Sequence, residues 1–289
     1  MFNGFDDYKC QYEIDLLTNM MKKKKKKLKI ITGILIFLTL ILFSETTVSV
    51  GYESTTFRII NLGFLNAPIA ILLIVLWIFL YNVSKSLYQS VLARKIDQDF
   101  IDNDCDPLAA QFVYRILMEK KVFNEQAVLE NYVGVLTLLG EQQTIKRLLN
   151  KYPKSSINTA NKEMIEFSLL SEEEKYHKIS NYYRKMQMIF DSLSKKVKKE
   201  SDQKILEQNR LDLEILNSFY HREYQKTLDL IEKNTVDSLL KRVLFAKLEA
   251  KSYYYLKDTS KAKEKLEFII EKGNTMFVVE QAKEMLKEF

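Results

Sequence analysis

Between Ile59 and Tyr81 the chain runs IINLGFLNAPIAILLIVLWIFLY without a charge. At about 1.5 Å per residue, such a helix reaches roughly 35 Å, enough to cross a ~30 Å hydrocarbon core. A second apolar run, Ile30 to Phe43, precedes it. That run covers about 21 Å as a helix, and extending it from Ser44 through Val50 gives it the needed length. We therefore expect a transmembrane hairpin over residues 30–83, with spans at 30–50 and 59–83. A cleaved signal peptide fits less well, because the apolar run starts some thirty residues in and no small-residue cleavage pattern follows it.

Basic residues orient the hairpin. Lys22, Lys23, Lys24, Lys25, Lys26, Lys27 and Lys29 abut the first span, and Lys85, Arg94 and Lys95 follow the second, whereas the intervening loop offers only Arg58. The positive-inside rule then places both termini in the cytoplasm, in a cell membrane crossed more than once. Near the surface each lysine gains about 1 kcal/mol from anionic lipid, so the run is expected to touch the bilayer. Trp77 and Tyr81 are expected at a headgroup boundary, Pro68 is expected to bend the second span, and Glu45 is expected near the outer interface. Asn66 is expected to hydrogen-bond the partner helix or a carbonyl freed by Pro68.

Elsewhere the chain is dense in Lys, Glu, Asp and Tyr. Only 7 glycines and 3 prolines occur in 289 residues, which argues for an all-α fold of long helices and short connections. The formal charge of +6 is concentrated in residues 1–29, an N-terminal cytoplasmic segment. Residues 84–289 hold 35 basic and 32 acidic side chains, a balance with no bulk attraction for nucleic acid. Two cysteines, Cys10 and Cys105, are too few for a disulfide framework or a zinc site and are read as unpaired thiols in a reducing compartment. The aspartates at 97, 99, 102, 104 and 106 fail the EF-hand pattern, with Pro107 and Val113 where Gly and Glu are needed, so they read as a solvated acidic turn and a helix cap. His177 and His221 stand in no ligand spacing, and no phosphate loop or nucleophile elbow is present. Nothing points to an enzyme, a metal or a cofactor.

Residues 84–106 are expected to leave the membrane as a helix and an acidic turn. The domain over 107–289 then starts with Asp106 as N-cap and Pro107 at N1 of a helix to about Lys121. Ser171 to Glu174 reads as a capping box, Gly273 as a C-cap, and Thr275 as the start of the last helix. In the C-terminal half, Ala250 and Tyr253, a turn at Lys257-Asp258, then Ala262, Leu266 and Ile269 form one unit. Ile215, Phe219 and Tyr220, a turn at Arg222-Glu223-Tyr224, then Thr227, Leu230 and Ile231 form another. A third unit runs from Leu136 and Gly140 through Ile145 and Leu149 to Tyr152-Pro153.

Thr227 and Ala262 are 35 residues apart. These residue types and offsets resemble the tetratricopeptide repeat, although the consensus Trp is missing and Arg184 to Gln203 falls out of period. The resemblance implies protein or peptide binding on a concave face made by the first helix of each pair. Asn217, Tyr220, Lys247 and Tyr254 are the candidate contact residues there. The expected role is a membrane-anchored interaction scaffold whose partner the sequence does not name. The competing expectation is an accessory subunit of a transporter or a self-protection system, acting through the hairpin, where Asn66 and Glu45 are the polar candidates.

Overall fold

A computed structural model describes residues 7–43, 45–50, 53–58, 66–152, 158–234 and 238–289. The first two helices form a long antiparallel hairpin. Helix α1 (Asp7–Phe43) runs unbroken through the lysine cluster into the apolar run, and α2 (Asn66–Ile96) returns beside it. Their antiparallel pairing is fixed at three levels. Lys95 Nζ meets Glu13 at 2.9 Å, Lys24 lies over the Tyr88 ring, and Trp77 Nε1 donates to Thr39 Oγ1 at 3.2 Å.

Two expectations for this region are corrected. The first helix does not extend to Val50: it ends at Phe43, and β1 (Glu45–Val50) pairs antiparallel with β2 (Glu53–Arg58) from Glu45↔Arg58 to Val50↔Glu53. Thr46, Thr47, Val48 and Val50 are β-branched and favour a strand over a further helical turn. Pro68 does not bend α2, because it sits in the first turn, where its missing N–H leaves no intrahelical bond unmade. Residues 59–65, expected to open the second span, and Pro153 lie outside the described residues, as do the side chains of Glu45, Arg58 and Asn66. Among the described residues one helix, Ala67–Asp102, is long and apolar enough to cross a membrane.

Apart from the strand pair, the chain is helical. A π-helical turn, Asp97–Asp102, ends α2, and α3 (Pro107–Glu119) begins as expected, with Asp106 accepting from the Ala109 N–H at 3.1 Å. Then follow α4 (Leu129–Leu138), α5 (Gln142–Lys151), α6 (Thr159–Ser168), α7 (Glu172–Ser194), α8 (Glu200–Tyr220), α9 (Tyr224–Lys233), α10 (Leu239–Tyr255), α11 (Thr259–Lys272) and α12 (Phe277–Leu286). From α6 onward each helix packs on the next. The Ser171–Glu174 capping box is present in full, which starts α7 sharply.

One backbone turn recurs. Gly140, Arg222 and Lys257 take φ of +73°, +64° and +68°. Each donates its N–H to the carbonyl three residues back, and the following residue donates five back. The turns join α4 to α5, α8 to α9 and α10 to α11, and Thr227 and Ala262 are fully buried where the later pairs touch. Small side chains at those crossings let the paired helices approach closely.

The C-terminal end folds back on the start of the domain. Thr275 does not open a helix: α12 starts at Phe277, and Thr275 Oγ1 donates to Asp106 Oδ1 at 2.7 Å while accepting the Leu108 N–H at 3.1 Å. It thereby joins Asp106 in satisfying the free N–H groups at the start of α3. Asn274 Nδ2 donates to the Asp104 carbonyl at 3.2 Å. The left-handed residue closing α11 is Asn274, at φ +47°, and Gly273 is required instead because a Cβ there would lie 2.6 Å from the Ile269 carbonyl oxygen and a Val279 methyl.

The N-terminal segment is also more than a tether. Cys10, Ile14, Leu17 and Met21, spaced by three and four, are at most 1% exposed and share one core with Leu92, Ile96, Val113, Tyr114 and Leu117. That core crosses the expected boundary between residues 106 and 107. Neither Cys10 nor Cys105 is in a disulfide, both are buried, and burial together with Asp102 and Asp104 pushes the Cys105 thiol up to about 12.

Candidate functional site

Along one face of α10 lie Lys247, Lys251 and Tyr254, at the i, i+4, i+7 spacing that aligns side chains on a helix. The first turn of α7 faces them. Lys251 Nζ reaches Glu172 Oε2 at 2.9 Å, and Lys175 Nζ reaches Glu172 Oε1 at 3.1 Å. Three ammonium groups thus surround one carboxylate. Burial alone would raise the Glu172 carboxyl, but Lys251, Lys247 and Lys175 outweigh it and hold the group at about 2. Lys247 is the member without a hydrogen-bond or salt-bridge partner. Burial pushes its ammonium down to about 8; Lys251 and Lys175 add repulsion, which Glu172 only partly offsets.

Beside Lys247 and Lys251 opens a cavity of about 380 Å³ between α10 and α12. Leu266, Ile269, Val278 and Met285 supply apolar lining, and Glu280 and Glu284 on α12 and Glu288 just beyond it contribute carboxylates. The basic and acidic side chains come from different helices, so an occupant that presents an anion and an apolar side chain has a fixed direction of entry.

Tyrosines extend this face. Tyr224 stacks on Tyr255 at 4.6 Å, and Tyr254 meets Phe289 edge-on at 5.4 Å. Burial first, and then neighbouring tyrosines, raise the Tyr176 phenol well above its ordinary range.

Of the four residues expected on a shared concave face, Lys247 and Tyr254 lie on this one. Tyr220 does not: it is 8% exposed and packed edge-on against Phe167 and Tyr176, because its position on α8 turns inward toward α7. Asn217 lines a separate cavity of about 500 Å³ between α7 and α8, with Ser180, Arg184 and His221. His221 bridges the Asn217 carbonyl at 2.8 Å and Ser180 Oγ at 3.0 Å, a packing role. Glu172, Lys175 and Phe289 carry no local sequence signal for this site, since α7 meets α10 across 79 residues.

The five aspartates are also less solvated than expected. Asp97 is half-buried, accepting from Tyr114 Oη at 2.9 Å and Asn131 Nδ2 at 2.6 Å, and partial burial raises its carboxyl. Asp104 pairs with Lys9, and Lys95 lies 3.6 Å from Asp99. Asp97 and Asp102 line a cavity of about 870 Å³, with Arg94, Glu130 and Asn161. In the lysine run, Lys22, Lys23, Lys26, Lys27 and Lys29 are exposed, whereas Lys24 and Lys25 are half-buried.

Sequence and structure were compared with known proteins. No family model, curated protein or solved structure matches the chain. The functional reading therefore rests on this geometry alone.

Proposed function

We propose that this protein is a membrane-anchored interaction scaffold. Helices α1 and α2 form the anchor, and a tetratricopeptide-like array holds the face of α7, α10 and α12 at the cytoplasmic membrane surface for an acidic segment of another protein. The observation that carries the reading is Lys247, a half-buried ammonium with no direct hydrogen bond or salt bridge among the described residues, beside a cavity lined in part by apolar side chains. Such a group is costly in the empty site and is satisfied by a carboxylate brought by a partner. The like turns at Gly140, Arg222 and Lys257, with a fourth at Lys121 after α3, and the sequential helix packing support the repeat reading. The basic residues on one side of the hairpin support the cytoplasmic placement.

The test is crosslinking in cells followed by capture of the full chain from mild detergent. Crosslinks should map to α10 and α12, and Lys247→Met should reduce capture by about tenfold while the protein stays folded, the loss expected for removing one buried charged contact. Binding should also weaken as pH rises through about 8, where Lys247 loses its proton. Crosslinks confined to α1 and α2, with capture unchanged by Lys247→Met, would instead support an accessory subunit that acts through the hairpin.

A further inference from the structure

The lysine run does not face solvent uniformly. On one side of α1, Lys22 and Lys25 meet Lys120 and Lys121 from the end of α3 around a cavity of about 420 Å³. Asp15 is the acidic residue lining it, so four ammonium groups face one carboxylate. Lys25 donates to the Lys121 carbonyl at 3.3 Å, which fixes the α3 end against α1. The Thr18 hydroxyl at this cavity is buried and has no hydrogen-bond partner, although a threonine within a helix ordinarily bonds the carbonyl four residues back. Burial first, and then Lys85 and Lys29 beyond the cavity, lower the Lys25 ammonium from its ordinary value.

The depth of this cavity selects its occupant. Beyond Tyr8 and Tyr12, the exposed apolar residues on α1 are aliphatic and begin at Ile30 and Ile31, each 52% exposed. Lys25 and Lys22 precede Ile30 by about 8 and 12 Å along the helix. The headgroup layer on each side of a ~30 Å core is roughly 5–8 Å thick, so Lys25 stands at its outer edge and Lys22 about 4 Å outside it, where a long lysine side chain still extends to the lipid phosphates. Lipid phosphates are the anions concentrated next to that level, and four lysines complement two phosphate charges better than one.

We propose that this cavity is a binding site for the headgroup of a phospholipid that carries two phosphates. The site rests on the reading of the hairpin as a membrane anchor. It differs from diffuse attraction between lysines and an anionic surface, because Lys120 and Lys121 come from α3 and lie outside the lysine run.

The test uses the full chain in phosphatidylcholine nanodiscs with and without a minor fraction of diphosphatidylglycerol, and mass spectrometry to count the lipid retained after transfer to mild detergent. The variant pair Lys120→Gln and Lys121→Gln should lower retention by roughly thirtyfold, the effect of two near-surface lysines at about 1 kcal/mol each. The pair Lys23→Gln and Lys27→Gln, on other faces of α1, removes the same charge but only diffuse attraction to the surface, and should cause a loss of retention about fivefold smaller. Equal losses in the two pairs would overturn the site in favour of diffuse attraction. Stabilisation by inorganic pyrophosphate equal to that by the lipid would overturn the lipid as its occupant. Failure of the wild-type chain to remain with membranes after alkaline carbonate washing would remove the anchor reading itself, a result separate from either outcome.

Discussion

The two ends of the α1–α2 hairpin have the same backbone and opposite surroundings. At the lower end Ile14, Leu17, Met21, Leu92 and Ile96 are at most 1% exposed, covered by α3 and the elements behind it. At the upper end Ile34, Phe37, Leu40, Leu72, Val75 and Phe79 are 52–67% exposed. Helix pairing buries only one stripe of each helix, so a hairpin that is apolar all round needs a second covering. Protein supplies it below. Above, these side chains are bare of protein, the surface that the proposed anchor would bury in a bilayer. The lysines sit where the protein covering ends.

The largest effect should come from removing the lower end. Residues 101–289 expressed alone lose one wall of the core around Tyr114, and this fragment should aggregate or melt without cooperativity. Joining residues 7–29 to 84–289 through a short Gly-Ser linker should restore a soluble, cooperatively melting chain, because packed helices lie only about 8–10 Å apart. Size-exclusion chromatography and thermal melts compare the two. A fragment 101–289 that melts as sharply as the joined chain would show that the lower end is not part of the folding unit.

Single truncations sharpen the contrast. Ile14→Ala should cost about 2–5 kcal/mol in detergent, the range for deleting a buried aliphatic side chain. Phe37→Ala should cost under about 0.5 kcal/mol, since its ring touches little protein. Similar costs for both would erase the distinction between the ends.

Raising the pH should act on the covered region alone. The Lys247 pKa is about 8 in the folded chain against 10.5 when unfolded. Between these values the unfolded chain binds the extra proton, so stability rises with pH across that window and is lowest below it. The full rise is on the order of 3 kcal/mol. Lys247→Met should flatten it and should be the more stable form at pH 7. An unchanged pH profile in that variant would assign the rise to another group.

Smaller still is the cap shared by Asp106 and Thr275. Thr275→Val should cost about 1 kcal/mol, equally in detergent and in bilayers. Trp77→Phe breaks the hydrogen bond to Thr39 and should cost about 0.6 kcal/mol, a typical value for polar contacts between helices in lipid. Its size should change with the surrounding lipid or detergent, whereas that of Thr275→Val should not.

Local signals in the sequence read accurately. Asp106-Pro107, the Ser171 capping box and the turns at Arg222 and Lys257 all depend on residues within a few positions of one another. Signals that need a distant partner did not. The spacing of Cys10, Ile14, Leu17 and Met21 is visible, but the Leu92, Ile96, Val113 and Leu117 that complete it come 70 residues or more later. Trp77 reads as a headgroup anchor because its partner Thr39 stands on the other helix. Tyr220 reads as exposed because an amphipathic helix does not reveal which neighbour covers its flank. Lys247 is recognisable on α10 as a surface lysine, but its burial and its place beside Glu172 depend on helices distant in sequence.

The clasp between Thr275 and Asp106 also sets an order of events during synthesis. Its partners are 169 residues apart. At about 5–20 residues per second, α3 leaves the ribosome roughly 8–35 s before the residue that completes its cap. Open repeat arrays consolidate unit by unit as they emerge, but here the first unit waits for the last. On the anchor reading proposed above, the hairpin has by then had time to enter a bilayer, so the domain closes on an anchor already in place. A chain cut short before Thr275 would keep the Asp106 half of the cap and lack the contact that closes the end of the domain on its start.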